Sequence, residues 1–586
     1  MTMHHGTPLT GTPRRARRAA FAGIVAASLA LSAACTPEGE KAAPAEVKPQ
    51  AGGTLNLILR AQPDFLDPTQ VYLTTAMNIS RLLDRTLITF KDAPGAEGSE
   101  IVPDLATDLG RPSEGGKVWE FTLKKGVTWE DGSPITCAHV KYGIERRFAR
   151  EYTNGPTYPL QYLAGAENYK GPYVNKNNNG AGLPSIQCLN ESTIKFQLKL
   201  AVGDFPYSLT MPVWGPVPPE QDTKAKYTDR PFASGPYKIA QQFDGKGGPM
   251  VLERNPHWNP STDGVRKAYP DKINLIIREN QDEEVTDELI KDQGEAKTSI
   301  ALQSDATPNF VQQIVNDAEL SKRAMTGAIP GTAYLGINTT RVTDPRCRQA
   351  LILAFNKRRF RGMLGGSIFG DYATTMIPPD LKAYKKFDVF GVDASEEGAP
   401  EKARALMEQA AKDGKPCAKT LSANFQDTKR WQRAMSTVVE AFALIDITLK
   451  LEPFPARGYY TTAGTPAKQG DLTVATWLPD WPGGSSVIQP NFDGRTIPKD
   501  RNQSGNYNFA QLNDPEINKK IDAAMAESNV EKQQALWGDL DEEIQKKAPI
   551  IPVIHPKILR MYGSKVHNAF IHPAFGEADI SAMWVG

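Results

Sequence analysis

The sequence predicts an α/β protein built from two or three domains, and two observations support this prediction. The 586 residues are too many for one hydrophobic core, because single cores stop growing at about 250–300 residues. Segments in which apolar and polar residues alternate recur between segments that have apolar residues at helical spacing. That order is typical of α/β domains with mainly parallel sheets.

The N-terminal half contains more predicted strands than helices. The predicted strands are residues 53–60, residues 193–200 and the two arms of a hairpin over residues 117–132. Helical spacing occurs in residues 78–90 and again after Thr136. Residues 155–184, rich in Gly, Pro and Asn, predict a loop.

From residue 332 onward, predicted strands and helices alternate. Two helix starts are marked by Asp344-Pro345 and Asp514-Pro515, because aspartate caps a helix and proline fits its first turn. Two more helices are predicted over residues 401–412 and 428–444. The predicted strands are residues 332–338, 420–425, 447–451, 472–477 and 550–554.

The charge composition argues against two classes of function. The chain has 68 Lys and Arg against 67 Asp and Glu, and neither sign forms long runs. A nucleic-acid surface or a polybasic membrane patch would need a clear local excess of positive charge. No segment after the leader reaches the about 20 apolar residues of a membrane span. We therefore expect a soluble mature body that binds no nucleic acid.

The first 51 residues predict export and a membrane anchor. Arginines between residues 14 and 18 precede an apolar run over 19–31 and then small residues, which is the order of a signal peptide over residues 1–34. Cys35 follows two alanines and resembles the lipidated cysteine of a bacterial lipobox. Residues 35–51 would then be the lipidated cysteine and a flexible tether. Ordinary secretion is the alternative, and the general and twin-arginine export routes both stay open.

Four further cysteines, Cys137, Cys188, Cys347 and Cys417, predict disulfides. An even number of cysteines in an exported chain favours pairing, and four cysteines allow three pairings. We favour Cys137–Cys188 and Cys347–Cys417, because each pair then lies inside one predicted domain. No cysteine and histidine cluster has the spacing of a zinc site.

The chain lacks the local signatures of several enzyme classes. It contains no HExxH, GxSxG, Walker or GxGxxG motif, and its seven histidines are scattered along the sequence. We therefore expect a protein that is not an enzyme and that needs neither a cofactor nor a metal ion.

A series of short blocks, taken in order, carries a family resemblance. The blocks are residues 52–55, 64–68, 102–106, 119–123, 131–134, 234–237, 254–256, 346–350 and 477–482. In this order they resemble the family 5 extracellular solute-binding proteins of ABC importers, of the oligopeptide- and dipeptide-binding type. The blocks extend over nearly the whole mature chain.

This resemblance implies a two-lobed clamp of the periplasmic-binding-protein type (type II, cluster C), with an extra small domain on the first lobe. Lobe I would comprise residues 52–300, including the extra subdomain, and the C-terminal return over residues 553–586 would rejoin it. Lobe II would comprise residues 301–552. Two chain crossings, near residues 298–302 and 550–554, would form the hinge.

The resemblance also implies a ligand site. In peptide-binding members an aspartate after a Trp-containing strand pairs with the free ammonium group of the peptide, and the matching residue here is Asp480. Trp477 would form a pocket wall, and Tyr72 and Thr74 match positions that contact the peptide main chain. Each has a structural alternative: Asp480 as an exposed turn residue, Trp477 as core and Tyr72 as a packing residue.

The implied function is that of a lipid-anchored binding component of an ABC importer. It would capture oligopeptides or dipeptides by hinge closure and deliver them to a membrane permease. It would work as a monomer on the extracellular face of the bacterial cell membrane. Two alternatives stay open: the same clamp with an oligosaccharide or a metal chelate as cargo, or a secreted hydrolase.

Overall fold

The computed structural model describes residues 48–174, 182–393 and 396–586. The predicted signal peptide, Cys35 and most of the tether lie outside these ranges, so what was predicted for them stays a prediction. Within the described ranges, no helix is both long enough and apolar enough to cross a bilayer.

The described residues form two large sheets, one four-stranded sheet and three two-stranded sheets. The strands up to residue 301 are β1 (Thr54–Leu59), β2 (Ile88–Phe90), β3 (Ile101–Pro103), β4 (Arg111–Ser113), β5 (Val118–Thr122), β6 (Ile186–Asn190), β7 (Thr193–Gln197), β8 (Tyr237–Gln241), β9 (Met250–Arg254), β10 (Lys272–Ile277) and β11 (Ser299–Ala301). The later strands are β12 (Ala324–Ala328), β13 (Thr332–Ile337), β14 (Gly370–Tyr372), β15 (Thr420–Gln426), β16 (Thr448–Phe454), β17 (Leu472–Trp477), β18 (Ile550–Met561), β19 (Val566–His567), β20 (Ile571–His572), β21 (Glu577–Ala578) and β22 (Trp584–Val585).

Helices cover these sheets, and two of them begin at the predicted caps. The helices are α1 (Thr74–Leu83), α2 (Cys137–Arg146), α3 (Tyr158–Tyr162), α4 (Phe205–Ser208), α5 (Asp282–Lys291), α6 (Pro308–Asn316), α7 (Ala318–Lys322), α8 (Pro345–Ala354), α9 (Lys357–Met363), α10 (Pro400–Lys412), α11 (Lys429–Ala443), α12 (Tyr459–Ala463), α13 (Ser485–Phe492), α14 (Pro515–Ala526) and α15 (Val530–Gln545). The carboxylates of Asp344 and Asp514 each accept a backbone N–H of the first turn. Both predicted caps are thus confirmed.

The first large sheet has the strand order β11-β1-β10-β9-β8. β1 lies parallel to β10 and β11, whereas β8, β9 and β10 form an antiparallel meander. Leu55, Leu57 and Leu59 of β1 pack in one core and Ile58 packs in another, because successive side chains of a strand point to opposite faces. β1 is therefore covered on both faces.

The second large sheet is organised around the long strand β18. The strand order is β12-β18-β13-β17-β15-β16, and β14 also pairs with β18. The first half of β18 pairs with β13 and the second half with β12. Directly after β18, Tyr562 bridges to Ile300 of β11. The two large sheets therefore meet where β11 and β18 lie side by side.

The prediction of mainly parallel sheets is wrong. In the second sheet β15 is parallel to β16 and β17, but the pairings among β12, β13, β14, β17 and β18 are antiparallel. The cause is the return of the chain: β18 comes back from far along the sequence and inserts between β12 and β13. A pattern of alternating elements carries no information about such an insertion.

The predicted hairpin over residues 117–132 is also wrong. β5 pairs with β4 and β7 in an antiparallel sheet of order β4-β5-β7-β6. The second predicted arm instead pairs with the residues just after it: the backbone N–H of Trp129 donates to Ser133 and that of Ile135 to Val127, and Trp129 is fully buried. Its indole Nε1 donates to Nδ1 of His139 over 3.1 Å.

Both favoured disulfides are present. Cys137 at the start of α2 is bonded to Cys188 of β6, and Cys347 of α8 is bonded to Cys417. The first bond joins a helix to the edge strand of a sheet, and the second joins a helix to the segment just before β15. The pairing predicted from the domain argument is confirmed.

Candidate ligand-binding site

Asp480 lies directly after β17, in a turn that leads into α13. β17 pairs with β13 up to Trp477, and proline at positions 479 and 482 removes the N–H groups that would extend the pairing. Asp480 keeps only 6% of its accessible surface. It is a buried carboxylate, in contrast to the alternative of an exposed turn residue.

Two tyrosines from the first 300 residues donate hydrogen bonds to Asp480. The hydroxyl of Tyr72 lies 2.8 Å from Oδ2 of Asp480, and the hydroxyl of Tyr158 donates to the same oxygen. Among the described residues, no Lys, Arg or His lies within 4 Å of this carboxylate. The carboxylate therefore has neutral donors but no counter-ion.

This environment changes the protonation of Asp480. Burial raises the pKa of Asp480 to about 7, although the hydrogen bonds from Tyr158 and Tyr72 act in the opposite direction. An aspartate in the unfolded chain has a pKa of about 3.9. Because the folded-state pKa is the higher one, ionising Asp480 lowers the stability of the fold as pH rises from about 4 to 7.

Aromatic rings enclose the carboxylate. The ring of Tyr72 meets those of Tyr507 and Trp477 edge-on, with centroids 4.6 Å and 6.0 Å apart. The rings of Tyr158 and Trp481 lie 4.8 Å apart on the other side. Three of the four predicted ligand-binding residues, Asp480, Trp477 and Tyr72, thus lie in one cluster.

Two members of this cluster were not predicted from the sequence. Tyr158 begins α3, a helix of five residues inside the segment predicted as loop, and Tyr507 lies in an irregular segment. A single turn of helix gives too short a periodic signal to be recognised. For Tyr507 the sequence offers no local pattern.

Thr74 makes none of the described side-chain contacts of the cluster. It is the first residue of α1 and is half-buried. None of the side-chain hydrogen bonds between described residues joins it to Asp480; the neighbouring Thr75 instead donates to Glu577. The role predicted for Thr74 stays a prediction.

Further hydrogen bonds join the first 300 residues to the segment that follows them. Oδ2 of Asp204 accepts from Nε1 of Trp481 over 2.8 Å and also from the hydroxyl of Ser485. The hydroxyl of Tyr162 donates to Oε1 of Gln489 over 3.1 Å. These contacts surround Asp480 with residues from both parts of the chain.

A cavity of about 900 Å³ adjoins this region. Its lining includes Thr157, Tyr162 and Lys199 from the earlier part of the chain and Gln489, Arg495 and Lys499 from the later part. Pockets for small ligands typically measure about 300–1,000 Å³. A separate space of about 20 Å³ has Asp480 in its lining together with Arg81 and Arg266, and it is large enough for one water molecule.

Among the described residues, no group of three or more His, Cys, Asp or Glu side chains could hold a metal ion. The half-buried His555 and the fully buried His572 are both held neutral, because loss of contact with water lowers the pKa of each to about 4. The chemistry of the region is that of a polar, aromatic binding site with one carboxylate at its centre.

Comparison with known sequences finds one protein family and relatives along most of the chain. The model of the bacterial extracellular solute-binding proteins, family 5 (middle), matches residues 100–499. The probable di/tripeptide-binding protein 5 of Pseudomonas aeruginosa (strain UCBPP-PA14) is 23% identical over 561 residues, 92% of this chain and 97% of that protein. The periplasmic murein peptide-binding protein MppA of Escherichia coli (strain K12) is 22% identical, over 84% of this chain and 86% of that one.

Comparison with solved structures finds the same architecture. The clavulanic acid biosynthesis oligopeptide binding protein 2 superposes with a TM-score of 0.80 at 30% identity, covering 92% of this chain and 96% of the other. Haemophilus influenzae OppA in complex with RPPGFSPFR superposes with a TM-score of 0.74 at 16% identity, covering 92% and 100%. The predicted fold class, an α/β clamp of the periplasmic-binding-protein type, is confirmed.

Proposed function

Because the chain belongs to the bacterial extracellular solute-binding proteins of family 5, we propose that it captures short peptides for an ABC importer and passes them to a membrane permease. The observation that carries this proposal is the Asp480 carboxylate, which is buried between two parts of the chain, accepts from two tyrosines and has no Lys, Arg or His of the described residues within 4 Å. A buried charge without a counter-ion is costly. The free ammonium group of a peptide would supply that counter-ion.

The proposed mechanism is hinge closure. The Asp480 carboxylate is buried and covered by the hydroxyls of Tyr72 and Tyr158, so a peptide can reach it only if the two sides of the site separate. Lobe I over residues 52–300 with the return over 553–586, and lobe II over residues 301–552, are the proposed moving bodies. A ligand that contacts both lobes stabilises the closed state relative to the open one.

The remainder of a bound peptide would extend from Asp480 into the neighbouring cavity. Its volume of about 900 Å³ suits a ligand of several residues. Main-chain hydrogen bonds ignore peptide sequence, and waters can bridge variable side chains to polar walls. This arrangement favours a binder that accepts a range of short peptides.

We also propose that Cys35 carries a lipid and that residues 36–51 act as a tether. The signal-like order of residues 1–34 and the cysteine after two alanines support this anchor. A flexible segment of this length would hold the body roughly 20 Å from the membrane surface. The closed clamp would then meet the permease by diffusion within that range.

The proposed function predicts a preference for free-amine peptides. Titration calorimetry with a mixed set of di-, tri- and tetrapeptides should show binding, and N-acetylation of the same peptides should weaken it tenfold or more. The physical reason is that acetylation removes the charge that meets Asp480. Binding of an oligosaccharide or a metal chelate with no response to free-amine peptides would contradict the proposed cargo.

The affinity for free-amine peptides should also depend on pH. Below pH 7 a proton occupies Asp480 and must leave before an ammonium group can pair with the carboxylate, so affinity should rise up to about tenfold per unit between pH 5 and 7. Tyr72 and Tyr158 do not titrate in this range, because burial raises the pKa of each well above its usual value. Above about pH 8 the peptide amine itself loses its charge.

Calorimetry at pH 6 in two buffers of different ionisation enthalpy would count the released proton. The control is Asp480→Asn, in which the peptide affinity should vary much less between pH 5 and 7. The variation that remains would come from other groups such as Asp204, because burial raises the pKa of that carboxyl as well. An affinity that stays constant from pH 5 to 7 in the unaltered protein would contradict this account.

A further inference from the structure

A second cavity, of about 350 Å³, lies away from Asp480. It opens where the C-terminal end of β1 and the first turns of α5, α6 and α11 come together. Its walls include Arg60, Asp282, Thr307, Arg430 and Arg433. The cavity is therefore lined by residues on both sides of the chain crossing near residue 300.

Ion pairs organise the inner wall of this cavity. Asp305 accepts from Nε of Arg560 over 2.9 Å and from Nη1 of Arg430. Arg60 pairs with Asp282 over 3.1 Å. Burial alone would raise the pKa of Asp305, but Arg560, Arg430 and Arg60 outweigh it and lower the pKa. Asp282 and Asp305 are thus already paired with arginines, and the third acidic residue of the lining, Glu283, accepts from Nδ2 of Asn309 over 3.2 Å.

Positive charge remains on the wall formed by α11. Lys429 and Arg433 line the cavity, and among the described residues neither has an acidic side chain within 4 Å. Both lie in the first turns of a helix of 15 residues. Cations are unfavourable there, because the N-terminal end of a helix carries partial positive charge. An anion beside them would relieve this repulsion.

Two lining residues have buried polar atoms without a hydrogen-bond partner. They are Nε of Arg430 and the hydroxyl Oγ1 of Thr307. Buried donors of this kind are normally satisfied, and leaving one unsatisfied is destabilising. Burial lowers the pKa of Arg430, as expected for a guanidinium that has exchanged water for an incomplete set of acceptors. Both atoms are donors, so an acceptor would satisfy them.

We propose that this cavity binds a small oxyanion, such as a phosphate, sulfate or carboxylate group, held by Lys429, Arg430 and Arg433 with Thr307 as a neutral donor. Guanidinium and ammonium groups match oxyanions through charge-assisted hydrogen bonds. The volume accommodates the anion with its remaining water or with a small organic body. The proposal is independent of the peptide site, because it uses none of the residues around Asp480.

Titration calorimetry with inorganic phosphate, sulfate and citrate, at constant ionic strength set with sodium chloride, tests the proposal on the full mature chain. Binding of at least one of these oxyanions is expected, and the double variant Lys429→Gln/Arg433→Gln should weaken it tenfold or more. The matched control is Lys419→Gln/Lys450→Gln, which removes two exposed lysines outside the cavity and should leave the affinity unchanged.

Two outcomes would overturn the proposal. One is the absence of binding by all three oxyanions relative to chloride. The other is equal weakening by the cavity variant and the control variant, which would show only a general effect of net charge. Thermal unfolding of both variants without added oxyanion checks that each is folded, and Arg433→Gln alone provides a milder substitution with a smaller expected loss.

Discussion

Replacing Arg146 with alanine is expected to lower the free energy of unfolding by about 3–5 kcal/mol, because it leaves buried carboxylates without a counter-ion. Arg146 is the last residue of α2 and is fully buried. Its two terminal nitrogens donate to the two oxygens of Asp67, each over 2.7 Å. A third carboxylate oxygen, on Asp222, lies 3.1 Å away. Urea denaturation monitored by fluorescence measures the loss.

Arg111→Ala is the matched control for this substitution. Arg111 also contacts two carboxylates, those of Asp108 and Glu120, but its side chain is 48% exposed. Exposed ion pairs contribute at most about 1 kcal/mol, so this variant should remain close to the unaltered protein. Equal losses from Arg146→Ala and Arg111→Ala would contradict the argument from burial.

A conservative variant keeps the test informative if the alanine variant does not fold. Arg146→Lys keeps the charge but cannot bond both oxygens of Asp67 at once, so a smaller loss of stability is expected. Asp67 belongs to one of the sequence blocks that carry the family resemblance. The geometry gives that residue a structural role: it anchors α2 to the segment that leads to Tyr72.

Helix starts could be predicted from the sequence because their signals are local. Asp344 and Asp514 each accept a backbone N–H only two residues away, and the proline between fits the first turn. Thr136 precedes α2 as expected. These features depend on about four neighbouring residues and hardly on the rest of the fold.

The direction of the strands could not be predicted in the same way. β18 pairs with β13, which lies more than 200 residues earlier in the chain, and nothing within either strand encodes that partner. Alternating elements suggested parallel sheets, whereas four of the six pairings in the second sheet are antiparallel, three of them with the returning strand β18. Long-range pairing depends on the whole core.

The candidate site was predictable only where a family block preserved it. Asp480 and Trp477 lie in one block, and Tyr72 follows another, and the fold brings the three together across about 400 residues of chain. Tyr158 and Tyr507 lie outside the blocks. They could be found only from the coordinates, although one of them donates directly to the carboxylate.

Replacing Asp480 with alanine is expected to weaken the binding of free-amine peptides by about 2 kcal/mol or more, roughly 30-fold in affinity. The variant removes the carboxylate that accepts from Tyr72 and Tyr158 in the aromatic cluster, which also includes Trp477, Trp481 and Tyr507. N-acetylated peptides should bind the variant and the unaltered protein about equally, since they bring no ammonium group. Titration calorimetry with matched free and acetylated peptides measures both comparisons.

Asp541→Asn is the matched control. Asp541 is buried like Asp480, and burial raises its pKa to about 6. It accepts the backbone N–H groups of Met376 and Ile377 instead of tyrosine hydroxyls and lies outside the cluster. This variant should keep its peptide affinity whether or not its stability changes, which separates a binding effect from a general effect of removing a buried carboxylate.

Asp480→Asn gives the sharper form of the prediction, because stability and binding should change in opposite directions. Asparagine still accepts a hydrogen bond from Tyr72 or Tyr158 but carries no charge, so the cost of ionising residue 480 near pH 8 disappears and the ligand-free protein should become more stable. The same change removes the attraction for an ammonium group and should weaken peptide binding. An ionised Asp480 lowers the stability of the ligand-free protein. Such a cost is explained if the carboxylate pairs with a cation only in the complex. Unchanged affinity in Asp480→Asn, together with unchanged stability at pH 8, would refute that explanation.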